Sequence, residues 1–170
     1  MADAGPAAHL LTPQFLTRAL RASASASASL GPLGAVVALS AQPCGGGGKT
    51  GAQLLRVVPE YAHLPATTHD DVPPPPPSLL VKVASRRLDS GSPRRVTAWM
   101  AEQDAREVSF YREHQHLLRT PVVYHAHSQW PVDKAAGGGE SRTCITCIVM
   151  EDLSCTHHSG EDAVAPLYYG

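Results

Sequence analysis

The sequence predicts an α+β fold: a five-stranded antiparallel sheet with one packed helix and a leading amino-terminal helix. Three observations carry that expectation. Short apolar runs bounded by glycine, proline or polar loops recur at residues 33–41, 52–58, 79–84, 122–126 and 143–150, and each is short enough to be a strand. Between the third and fourth runs lies one long stretch of helical composition, residues 96–118, ended by Pro121. The connection between the first two runs is a glycine cluster whose length suits a hairpin.

Taken in order, Thr12 and Pro13 form a helix start, because a hydroxyl can accept the orphan amides and proline presets φ at the first turn. Phe15, Leu16, Ala19 and Leu20 then share one face. The alternating Ser and Ala of residues 23–29 have little to bury and are read as a linker, which sets residues 1–32 apart from a main unit at 33–154. Residues 59–78 are read as an exposed insertion ending in Pro73, Pro74, Pro75, Pro76 and Pro77, a run that must be extended. Arg86, Arg87, Arg94 and Arg95 follow the third strand and are read as a solvated basic loop. In the long helix, Trp99, Val108, Tyr111 or Phe110, and Leu118 are spaced for a partly buried face.

The bulk properties exclude several function classes. A chain of 170 residues can bury one real core, so two large domains are not expected. Fourteen Lys and Arg stand against fifteen Asp and Glu, so no overall field recruits nucleic acid or an anionic membrane surface. No apolar run approaches a membrane span, and the start of the chain, with Asp3, Pro6 and Pro13, lacks the pattern of a secretory signal. Four cysteines are too few for a disulfide scaffold, and a reducing cytoplasmic location is expected.

The chemistry-bearing features form an ordered series. Gly46, Gly48 and Gly51 have the spacing GxGxxG at a turn between two antiparallel strands, where the absence of Cβ atoms lets backbone amides approach a polyphosphate. The bland alternative is a floppy hairpin. A dinucleotide fold would need a helix after the glycines, and a P-loop would need glycine where Pro43 stands. Lys82 lies inside an apolar strand, as an edge residue reaching solvent or as a cation held by a carboxylate and used on phosphate oxygens. Glu107 in the next helix is the proposed partner, with Glu102 and Glu113 as rivals. Met150, Glu151 and Leu153 belong to an apolar strand that turns acidic as it exits.

With these residues in view, residues 36–154 resemble the amino-terminal lobe of the aminoglycoside and choline phosphotransferase group, most closely its ecdysteroid-kinase-like (CHK) branch. The matching stretches are GGGGKTGAQLLRVVPEY, SLLVKVAS, AREVSFYREH, TPVVYHAH and CIVMEDLS. The resemblance implies a protein-kinase-like small lobe with the large lobe absent from this chain. It implies that Lys82 contacts ATP phosphates and Glu107 holds Lys82, that Gly46, Gly48 and Gly51 cover the phosphates, and that Met150, Glu151 and Leu153 carry the adenine hinge. The family reaction is ATP-dependent phosphorylation of a small-molecule hydroxyl, with magnesium neutralising the phosphates. The family's catalytic aspartate lies in a later helical lobe, and the sixteen residues after Ser154 supply none of it. Residues 155–170 are therefore expected to be a disordered tail outside the family pattern, left by truncation or alternative splicing, and turnover is expected to be little or none.

Two other readings compete. A noncatalytic interaction protein would use the exposed underside of the lobe and the proline run to hold a protein partner. A zinc module would use Cys144, Cys147, Cys155, His157 and His158, but Cys144 and Cys147 lie three apart in one strand and so face opposite sides. His125 and His127 share a strand face and are read as polar surface or lobe-interface residues rather than ligands.

Overall fold

A computed structural model describes residues 10–23, 35–44, 52–62, 75–87, 94–117, 121–129 and 143–154. Within them the chain is α+β, with an open five-stranded antiparallel sheet and two helices. In chain order the elements are α1 (Pro13–Ala22), β1 (Val36–Pro43), β2 (Ala52–Tyr61), β3 (Leu79–Arg87), α2 (Arg94–His114), a short 3₁₀ turn (Gln115–Leu117), β4 (Val123–Gln129) and β5 (Thr143–Glu151). The strand order across the sheet is β1-β2-β3-β5-β4, so β2, β3 and β5 are the interior strands and β1 and β4 the rims. Both rim pairings shift register, between Val36 and Ala38 in β1 and between Val123 and His125 in β4.

Helix α1 begins as its sequence dictates. The Thr12 hydroxyl accepts the Phe15 amide at 3.1 Å, and Pro13 occupies the first turn. Leu16, Ala19 and Leu20 are buried, but their burial corrects the reading of α1 as a separate leading element. Leu11, Leu16 and Leu20 pack into one core with Val57, Leu79, Val81, Val83, Cys147 and Val149. The Thr17 hydroxyl further accepts the Val36 amide at 3.0 Å, tying the helix to β1. The unit therefore includes α1, and the single packed helix expected from the sequence becomes two.

The strand period of two explains how both helices are accommodated. Along β3, Leu79, Val81 and Val83 join the α1 core, whereas Leu80 packs with Ile148, Met150, Val123 and Ala126 against Val108 and Tyr111 of α2. Ala101, Asp104 and Val108 are the buried positions of α2. Trp99 is 59% exposed, which corrects its placement on the buried face: residues 101, 104 and 108 set the phase, and position 99 falls outside their stripe. Leu118 lies outside the described residues.

Two further expectations are corrected. β2 continues through Pro59 to Tyr61, so the insertion does not begin at 59. Pro59 pairs with Leu39, at a point where β3 has not yet begun and β2 has a neighbour on one side only, which is where a strand tolerates a missing amide hydrogen. Arg86 and Arg87 belong to β3, and Arg86 is buried rather than part of a solvated loop. Most of the 59–78 segment, and all of 155–170, lie outside the described residues.

Candidate functional site

On the α2 face of β3, Lys82 projects from the middle of the sheet, between Leu54 of β2 and Ile148 of β5 in the strand register. A lysine in that row needs a counter-ion, and Glu107 provides it: Lys82 Nζ donates to Glu107 Oε2 at 2.5 Å. Both side chains keep partial access to solvent, 28% and 30%, so the ammonium is oriented without being sealed away. The rival carboxylates are engaged elsewhere, with Glu102 bound to Arg106 one turn along the helix and Glu113 beside His114.

A second ion pair joins the same strand to the same helix. Arg86 Nε donates to Asp104 Oδ2 at 2.9 Å, with the outer nitrogen 3.4 Å from Oδ1, and the two side chains are only 8% and 9% exposed. Sequence reasoning missed this pair. The available signal was spacing: 82 and 86 share a strand face, and 104 and 107 share a helix face.

Gly46, Gly48 and Gly51 lie outside the described residues. Their flanks do not: the Cys44 amide donates to the Leu54 carbonyl at 2.8 Å, and β1 and β2 form an antiparallel hairpin around residues 45–51. The loop enters β2 at Ala52, opposite Ala84, two residues along β3 from Lys82.

At the opposite end of β5, Met150 is buried against Val108 and Ile148, on the same face as Lys82. The Glu151 amide donates to the Val122 carbonyl at 2.8 Å, and its carboxylate accepts the Val122 amide at 3.2 Å, so Glu151 fastens β5 to the start of β4. Leu153 is exposed in the turn that follows. Between them stands Asp152, which the sequence reading placed in the hinge stretch without a role of its own. Asp152 is buried, and its carboxylate accepts from Arg56 at 2.8 Å, from the Ser78 hydroxyl at 2.6 Å, and from the amide and hydroxyl of Ser154. Burial alone would raise its pKa, but the hydrogen bonds from Ser154 and Ser78 together with the Arg56 charge bring it down to about 2.

The other polar candidates are kept apart. Cys147 lies in the α1 core, while Cys144 pairs in register with Arg86 on the α2 face, so the two thiols point to opposite sides of β5 and cannot share one tetrahedral ion. Among the described residues no group of three His, Cys, Asp or Glu side chains is placed to hold a metal; Cys155, His157 and His158 lie outside them. His125 packs edge-on against Phe15 of α1, its ring 6.1 Å from that of His127. His125 is half-buried while His127 is exposed, and burial followed by the neighbouring His127 lowers the pKa of His125. Among the described helices none is long and apolar enough to cross a membrane.

Comparison with known protein families, with characterised proteins and with solved structures returned no match.

Proposed function

We propose that this chain is a nucleotide-phosphate-binding lobe of the kinase-like type, related to small-molecule phosphotransferases of the aminoglycoside and choline kinase group. One observation carries the reading: the Lys82–Glu107 ion pair between β3 and α2, beside a hairpin whose loop holds Gly46, Gly48 and Gly51. An ammonium with one donor committed to a carboxylate has two left for phosphate oxygens, and its partial exposure leaves them reachable. Donor type and placement thus fit the phosphates of ATP. Magnesium would arrive on the nucleotide, and no ligand set for it is assigned here. Met150, Glu151 and Leu153 would border the adenine. The family reaction, transfer of the γ-phosphoryl group to a hydroxyl of a small molecule, needs a base that this reading assigns to no residue of the chain, so binding without appreciable turnover is the proposed activity.

The test is thermal unfolding with and without magnesium ATP. Binding should raise the melting temperature of the native protein, and Lys82→Ala should abolish the rise. Melting left unchanged by saturating nucleotide in both proteins would refute the proposal and favour an interaction protein, a reading supported by the exposure of Val96 and Trp99 along α2.

A further inference from the structure

Among the described residues, helix α2 packs apolar side chains on the sheet through Val108 and Tyr111, with Ala101 buried nearer its start. Such a grip resists removal of the helix better than it resists rotation or sliding, because apolar contact is not directional. The charged contacts differ in that respect. Lys82 offers Glu107 a compact charge on a flexible stem, which follows its partner through small displacements. Arg86 offers Asp104 a planar fork, with two nitrogens addressing two oxygens in a nearly dry site, and that geometry is met in one arrangement only.

We propose that Arg86 and Asp104 are positioning residues: their buried pair fixes the register of α2 on β3 and thereby delivers Glu107 to Lys82. The link is short, since Asp104 and Glu107 are three residues apart on one helix face and Lys82 and Arg86 four apart on one strand face. The role in phosphate binding rests on the proposed function, whereas the effect on Lys82 does not.

The experiment exploits the small number of lysines in the sequence, Lys49, Lys82 and Lys134. The full chain is acetylated with a limiting amine-reactive ester, digested, and the rate at Lys82 read by mass spectrometry against the other two as internal references. Glu107→Gln sets the scale by releasing Lys82, with an expected rise of about fivefold, the factor equivalent to about 1 kcal/mol. The apolar replacement Arg86→Met with Asp104→Leu keeps the volume and removes the unpaired-charge problem, so it should fold. It should nevertheless raise Lys82 acetylation close to the Glu107→Gln value. A second pair, Arg86→Gln with Asp104→Asn, keeps hydrogen bonding without the charged fork and should shift the rate in the same direction. A folded variant of either kind with native Lys82 reactivity overturns the proposal. Failure of both to fold overturns it too, since the pair would then hold the fold and not the register. Magnesium ATP added in a parallel melt separates the two ideas: a native protein indifferent to nucleotide removes the function, while the acetylation rates still decide the positioning role.

Discussion

Arg56 of β2 reaches past the start of β3 to place its Nε 2.8 Å from the carboxylate of Asp152, which follows β5. Ser78, just before β3, donates to the same oxygen at 2.6 Å, so one buried carboxylate gathers three chain segments at a single end of the sheet. The strand that leaves the 45–51 loop and the strand that ends in Met150 and Glu151 are thereby clamped together.

This clamp predicts an acid-sensitive stability. The folded pKa of Asp152, about 2, lies below its ordinary value of 3.8, so its contribution is complete above the higher value and is lost as pH falls through the lower one. Asp152→Asn should cost about 2 kcal/mol at pH 7 and lower the melting temperature by roughly 4–8 °C. The difference between native and variant proteins, measured by urea unfolding, should shrink between about pH 5 and pH 2. A gap that stays constant through that range would show that the ionised carboxylate is not its source.

The two strand-to-helix ion pairs should respond differently to loss of one partner. Asp104→Ala strands a buried guanidinium and should destabilise the protein by about 3–5 kcal/mol. Glu107→Ala releases a lysine that already touches water and should cost less than about 1 kcal/mol. Chemical denaturation of the two variants side by side gives the comparison, and equal losses would contradict the assigned burial.

Leu20→Ala should cost about 2–5 kcal/mol, because Leu20 sits in the same core as Val81 and Val149. Loss of that size, in one cooperative transition, is expected if α1 belongs to the folding unit. A biphasic melt in which only a minor amplitude changes would return α1 to the status of an appendage.

Burial pushes the Cys147 thiol up to about 12, so little thiolate exists at neutral pH. Iodoacetamide at pH 8 should leave Cys147 unmodified in the folded protein and label it on adding denaturant. Peptide mapping reads this directly, and rapid labelling without denaturant would place the thiol outside the α1 core.

Local signals carried much of the fold. The Thr12–Pro13 cap, the period-two apolar runs and the glycine break are written over a few residues, and the corresponding elements form close to the expected positions. Glu107 is singled out as the partner of Lys82 by its match to the kinase pattern, while spacing alone leaves Glu102 and Glu113 open, and the packed helix brings Glu107 to the lysine. Arg86 was not legible, since a basic cluster after a strand looks solvated unless the strand is known to run on and a helical carboxylate is known to face it. The role of Asp152 was missed for a similar reason: its donors come from residues 56, 78 and 154, and only the assembled sheet brings them together. Trp99 shows the opposite error, where spacing with Val108, Tyr111 or Phe110, and Leu118 suggested a shared buried face but the phase set by Ala101, Asp104 and Val108 turns it outward.

The irregularities at Val36/Ala38 and Val123/His125 fall on the two rim strands of the described sheet. A kinked border presents its amides and carbonyls out of step with those of an approaching extended chain. Like copies are thus discouraged from zipping into a continuous ribbon past those two points, a safeguard placed where the sheet's own ladder ends.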